Sequence, residues 1–383
     1  MMEADCRALL TDRIRQSGPI TVAEYMDVAL YAPGAGYYAR AAQRSGRAGD
    51  FVTSVDVGPL FGELLAVQIA ELWRQLRPES VAGPFDFDLI EVGAGNGRLS
   101  RDILDAASRR HPALYAAIRL HLVERSETAR AAHHLTLGPH APKLVSASAD
   151  LPAVATGVIL ANELLDAFPV HRVVMTREGL GECYIDVDGD TFIERIGPPS
   201  SPRLAQYFAE LGISLPPGAA VEVNLAAVDW IWHAAGCLDR GFAILIDYGY
   251  EAGTMYAQPN ATGTLTAFAR HMADPPREPG DERPAAGRFT PPWLVAPGTR
   301  DLTSHVDFTT LQREAGRAGW STRSVSSQSR FLLDLVERSG LVNELERPDR
   351  LRDRLALKSL LVPGAFGSSH SVLVFARNIE QVE

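Results

Sequence analysis

The sequence predicts an α/β protein built on a doubly wound, mostly parallel sheet. Three observations carry that prediction. Short apolar runs of strand length recur at 87–92, 119–124, 143–147, 157–162 and 242–248. Amphipathic stretches at 97–110, 126–135 and 221–239 lie among them, so that strands alternate with helices. Two more strand-like runs, 321–327 and 370–376, follow near the carboxyl end among helical stretches 307–319, 331–339 and 348–361, which brings the sheet to seven strands.

Ahead of the sheet, 3–16 and 21–30 read as short helices around Gly18-Pro19. Thr21 followed three residues later by Glu24 is a capping-box pattern. The segment Tyr31-Ala-Pro-Gly-Ala-Gly-Tyr-Tyr38 cannot be a regular element. A strongly amphipathic helix then spans about 59–77, with Leu60, Leu64, Leu65, Ile69, Leu72 and Trp73 near one face. Residues 170–196 alternate apolar and polar positions around Gly179-Leu-Gly181 and predict a hairpin inserted into the α/β scheme. The Pro-, Gly- and charge-rich stretch 274–300 predicts a mobile lid loop within 250–305. The expected organisation is a helical amino-terminal cover over 1–80 and a main domain over 81–383.

Composition narrows the function classes. The 383 residues are 46% hydrophobic and 22% charged, which is ordinary for a globular chain. A net charge of −10 argues against a nucleic-acid partner. Lys143 and Lys358 are the only lysines, and the arginines are spread along the chain, a pattern read as coding bias. Cys6, Cys183 and Cys237 lie far apart with no metal-ligand or redox spacing, so neither a disulfide framework nor a metal site is expected. No apolar run reaches the ~18 residues of a membrane span. The amino terminus lacks a secretory pattern, and a cytoplasmic location is expected.

The most informative segment is Leu89-Ile-Glu-Val-Gly-Ala-Gly-Asn-Gly-Arg98, in which a strand enters three alternating glycines and a helix follows. Gly93, Gly95 and Gly97 let backbone approach a ligand closely, and the helix start offers N–H groups to it. The G-x-G-x-G spacing differs from the G-x-G-x-x-G of nicotinamide and flavin sites, and no Gly-Lys-Ser/Thr of a P-loop follows. Glu91 precedes the loop, and the next strand closes in His121-Leu-Val-Glu124, where a carboxylate can accept from two ribose hydroxyls.

This constellation resembles the class I S-adenosylmethionine-dependent methyltransferases, a Rossmann-like fold. The resemblance implies a last strand antiparallel to its neighbour, S-adenosyl-L-methionine as cofactor, Gly93, Ala94, Gly95 and Gly97 at its methionine part, and Glu124 at its ribose. Further segments are similar to the MidA family: Gly49-Asp-Phe-Val-Thr-Ser54, Leu60-Phe-Gly-Glu63, Ala161-Asn-Glu-Leu-Leu-Asp-Ala-Phe-Pro-Val170, Leu245-Ile-Asp-Tyr-Gly249, His271, Arg300–Phe308 and Gln328-Ser-Arg-Phe-Leu332. That family includes a mitochondrial arginine methyltransferase that assists assembly of respiratory complex I. The resemblance implies that Gly49, Asp50, Phe51 and Thr53 lie beside the cofactor. Three departures fall where a partner or acceptor could be read: Val55-Asp56 replaces the family's usual Pro-Glu, 365–374 replaces its usual carboxyl-terminal motif, and the Pro-rich loop around 274–298 is longer than usual.

The segment leaving the fourth strand supplies candidate acceptor groups. Asn162 can donate and accept, while Glu163 and Asp166 stand three apart, as on one side of a helical turn. A guanidinium acceptor is planar and cationic, with a pKa above ~12. A carboxylate could bind it, localise its electron density and take its proton, a role suiting Glu163 better than Asp166, which could instead cap the following helix or bond backbone. His171, His271 and His305 are further candidates for proton handling, and Asp247, Asp301 and Asp307 for lining the cleft or capping helices. The expected function is methyl transfer to an arginine of a partner protein. The alternatives are oxygen or nitrogen methylation of a small molecule, and a non-catalytic cofactor-binding assembly factor. Helix 59–77 and the hairpin could each support a homodimer.

Overall fold

A computed structural model describes residues 5–40, 53–77, 85–257, 263–269, 272–273, 290–362 and 370–379. Seven strands form the central sheet: Phe87–Val92, Ile118–Val123, Leu144–Ser148, Ala155–Asn162, Leu238–Tyr250, Ser321–Ser327 and His370–Arg377. Numbered in chain order, they lie 3-2-1-4-5-7-6 across the sheet. The first five run parallel, and the seventh pairs antiparallel with the fifth, Ile244 opposite Val374. A two-residue strand, Val306–Asp307, pairs parallel with the end of the fifth, Gly249 opposite Val306. The first strand is buried at every residue, as a parallel strand with both faces covered must be. Strand order reverses between the first and fourth strands, so the loops after Val92 and Asn162 open side by side, where α/β sheets bind ligands.

Helix Leu60–Leu76 belongs to this core rather than to a cover. Fourteen of its residues are buried, on both its apolar and its opposite face, including Glu63 and Gln68. It packs against helix Arg98–Arg110 so closely that a Cβ at Gly62 would come 2.7 Å from the Asp102 Cβ. Glu63 accepts from Arg110 Nε at 2.7 Å and Arg350 Nη2 at 3.2 Å. The boundary expected at residue 80 therefore cuts through one packed unit.

The true cover is the first 40 residues together with the insertion. Helix Val22–Tyr31 starts with the predicted capping box, Thr21 and Glu24 each accepting from the other's backbone N–H. Leu10, Tyr25, Met26 and Leu30 pack against Ile185, Phe192, Trp293 and Leu302. The expected hairpin is a larger device: strands 171–176, 179–188 and 191–197 form a meander, joined by 20–21 and 220–223 into a five-stranded sheet. Residues 220–223, expected as the start of a helix, are thus a strand, and the helix begins at Leu225. Asn224 makes the break, its side chain accepting from Ala227 N at 2.8 Å as a cap. The stretch 250–305 is not a plain loop. It holds a helical turn at Ala252–Met255 and an antiparallel pairing of 266–268 with 301–303, while 274–289 lies outside the described residues.

Candidate active site

A cavity of about 640 Å³ opens at the strand-order reversal. Its floor is the glycine loop. Gly93 has φ 70° and Gly95 has φ 51°, left-handed values that a side chain with a Cβ rarely adopts. A Cβ at Gly93 would also meet Leu164 Cδ1 at 2.9 Å, so the loop and the turn after the fourth strand touch through a bare backbone. Gly93, Ala94, Gly95, Asn96 and Arg98 line the cavity, whereas Gly97 packs behind it, close to Leu122 and His133. The expectation that loop N–H groups face a ligand needs correction. Gly93 and Ala94 donate to Val123 O, Gly97 to Ala94 O, and Gly95 to Glu124 Oε2. The loop offers shape and close approach instead.

Two acids border this floor. Glu91 lines the cavity, yet its Oε2 accepts from both the backbone N–H and the hydroxyl of Ser100, fastening the strand to the helix start. Burial pushes its carboxyl up to about 7, against the pull of Ser100. Glu124 closes the second strand and accepts from Ser126 N at 2.7 Å and Gly95 N at 2.9 Å. Burial raises its pKa and those two N–H groups oppose the rise. Asp150, just past the third strand, lines the cavity in the same fashion. Its position repeats that of Glu124 one strand further on, a signal available in the sequence and not used.

Thr53 lines the cavity through the turn it starts, while Gly49, Asp50, Phe51 and His271 lie outside the described residues. Asp56 explains one departure from the family pattern. It accepts from Thr53 N and the Thr53 hydroxyl, both at 3.0 Å, and from Arg98 Nη1 at 3.0 Å, joining the 54–57 turn to the glycine loop.

The turn after the fourth strand brings Asn162, Glu163 and Asp166 into the cavity wall. It is not the helical turn expected. Glu163 stands in the left-handed region, φ 49°, a rare conformation for a residue other than glycine and one concentrated at functional sites. Its N–H donates to Ile246 O at 2.8 Å. Its Oε1 accepts from Ser54 N at 3.2 Å and Asn162 Nδ2 at 3.3 Å, with His370 Nε2 at 3.7 Å. Asp247, buried beneath, accepts from Leu164 N, Leu165 N and Tyr248 N and so shapes the turn. Burial pushes Asp247 up to about 7. Asp166 caps no helix; burial, then Asp247, Asp301 and Glu163, raise its pKa well above the carboxylate range.

The remaining wall brings in side chains that sequence reasoning left without a role, beside two that it named. Tyr31 and Tyr38 of the cover, Tyr248, Thr264 and Ser304 all line the cavity. Asp301 and His305 line it too, and burial lowers the pKa of His305. His171 and Asp307 do not: His171 bonds Glu182, and Asp307 caps helix Phe308–Arg317 and accepts from Tyr207.

The sheet order, the glycine loop at its reversal and the ribose-type acid after the second strand define a class I methyltransferase with S-adenosyl-L-methionine as cofactor. The chain belongs to the family described as "Putative S-adenosyl-L-methionine-dependent methyltransferase", whose model matches residues 64–326. A Burkholderia thailandensis protein crystallised with S-adenosyl-homocysteine bound superposes with a TM-score of 0.83 at 30% identity, covering 98% of this chain and 92% of that one. Among sequence relatives, the protein arginine methyltransferase NDUFAF7, mitochondrial, of Rattus norvegicus is 31% identical over 79% of this chain and 68% of its own. The Drosophila melanogaster homologue is 29% identical over 81% and 70%. These relatives are named as mitochondrial, which overturns the cytoplasmic location expected from composition. No helix among the described residues is long and apolar enough to cross a membrane.

Proposed function

We propose that the chain methylates a guanidinium nitrogen of an arginine in a partner protein, the activity carried in the names of its NDUFAF7 relatives. The observation that carries this reading is Glu163, an acid held in a strained backbone conformation with one carboxylate oxygen pinned by Ser54 and Asn162. Such a group is fixed in direction before any acceptor arrives, which is what positioning catalysis requires. The cavity fits the cofactor: the glycine backbone leaves room over Gly95, and the half-buried Glu124 supplies a ribose acceptor.

S-adenosyl-L-methionine, when bound, supplies an activated methyl group. Glu163 then orients the guanidinium, concentrates electron density on one nitrogen and takes the proton that nitrogen sheds on gaining the methyl. Asn162, with a buried Oδ1 lacking a partner, can accept from the cofactor or the acceptor. Thr53, in the cavity wall, closes the cofactor's side. The test is transfer of labelled methyl into the proteome of the source cell followed by hydrolysis. Methylarginine is the expected product; label confined to small molecules would overturn the reading.

A further inference from the structure

Asp166 and Ser304 each hold an unpartnered buried polar atom in the cavity wall, as Asn162 and His305 also do. Asp166 is 7% exposed and its Oδ1 meets no donor, and Ser304 is 1% exposed with an unpartnered hydroxyl oxygen. Both line the cavity, and Ser304 N donates to Asp166 O at 2.9 Å, so the two are tied together. Buried polar atoms are almost always satisfied, by protein, by water or by a ligand. Asp301, also buried, belongs to the same wall and accepts from the Tyr38 hydroxyl at 2.8 Å. Tyr38 stacks on Tyr31, with centroids 5.5 Å apart and planes 20° from parallel. The chain already shows what this pair attracts: the Arg125 guanidinium sits 4.3 Å from the Tyr31 ring centroid.

We propose that Asp166, Asp301 and Ser304, backed by the Tyr31–Tyr38 pair, form the acceptor head-group subsite and select a planar guanidinium over an ammonium or a neutral group. This rests on arginine as the acceptor and divides its handling: Asp166 and Asp301 bind the cation, and Glu163 receives the proton. A guanidinium presents five donors in one plane and a flat face to aromatic rings, matching two carboxylates, a hydroxyl and a stacked pair. A lysine ammonium is a compact point charge and uses neither the plane nor the face. The cover thereby becomes part of the specificity site, since the Tyr38 hydroxyl fixes Asp301.

The test uses the full chain loaded with S-adenosyl-homocysteine and the probe acetyl-Gly-Arg-Gly amide, titrated beside its citrulline and lysine counterparts. The arginine probe should bind at least tenfold more tightly than either. Asp166→Asn and Asp301→Asn should each weaken it tenfold or more, and Ser304→Ala about threefold, with S-adenosyl-homocysteine affinity within twofold of wild type. Equal binding of arginine and citrulline probes, or unchanged affinity in both aspartate variants, overturns the subsite. Melting curves establish that each variant folds; should Asp166→Asn fail, Asp301→Asn and Ser304→Ala decide. Methylarginine formed at the wild-type rate by the aspartate variants would overturn the subsite and leave arginine as acceptor. Label absent from arginine with the wild-type chain would overturn the arginine reading itself.

Discussion

The backbone N–H of Ser54 donates to the Glu163 carboxylate across 3.2 Å, joining two segments 109 residues apart. The same Ser54 hydroxyl donates to Gln328 Oε1 at 3.2 Å, so the turn that delivers it is itself anchored in the core. Glu163→Gln tests the carboxylate with little change in shape, because an amide oxygen can still accept from Ser54. Cofactor affinity by calorimetry should stay within twofold. Methyl transfer should fall by ~10²–10⁴, the usual cost of losing a general base. Turnover within threefold of wild type would remove Glu163 from the chemistry.

Gly95→Val separates cofactor binding from folding. Residue 95 stands at φ 51°, where a β-branched side chain is strained, at a cost of ~1–3 kcal/mol. An added Cβ there meets nothing within 4 Å, so the fold accommodates it, but the side chain enters the space a ligand's approach requires. Wild type should bind S-adenosyl-L-methionine in the micromolar range, roughly −8 kcal/mol. The variant should melt a few degrees lower and show no binding. Binding retained within twofold would move the cofactor away from this loop.

Legibility in the sequence followed how local each signal is. The strand Phe87–Val92 and the capping box at Thr21 were readable because a few neighbouring residues decide them. Val221–Val223 was misread as helix because one Val-Glu-Val alternation is too short to stand out from the Ala-rich helix behind it, and only Asn224 marks the break. The helical spacing assumed for Glu163 and Asp166 failed for another reason: Asp247, on a different strand, captures the backbone N–H groups of Leu164 and Leu165. Tyr38 and Ser304 reach the wall beside Asp301 only through the packing of the cover on the 266–303 region, which no local pattern encodes.

Glu91 makes stability depend on pH in a definite direction. Burial raises its carboxyl from 4.5 to about 7, so the folded chain binds a proton more tightly than the unfolded one in that interval. The stabilisation is fully present below pH 4.5 and is lost as pH rises through about 7. A displacement of that size corresponds to roughly 3 kcal/mol. Urea unfolding of the cofactor-free chain at pH 5 and pH 8 should show the decline, and Glu91→Gln should flatten it. Asp247, raised in the same direction, keeps the variant's slope from vanishing. Identical slopes for wild type and variant would contradict the assignment.

Asp247 supports the active turn from below, and its two substitutions should separate hydrogen bonding from charge. Its Oδ2 accepts from Leu164 N at 3.1 Å and Leu165 N at 2.7 Å, and its Oδ1 from Tyr248 N at 2.8 Å. Asp247→Ala leaves these buried N–H groups without acceptors, at roughly 3–5 kcal/mol in urea unfolding. Asp247→Asn keeps one oxygen and turns an amide N–H₂ toward a donor, so it should lose about 1–2 kcal/mol. Because the turn carries Glu163 and Asp166 while Glu124 follows a different strand, methyl transfer should drop more than cofactor affinity in both variants. A loss below 1 kcal/mol for Asp247→Ala would mean that the Glu163 N–H bond to Ile246 O holds the turn alone.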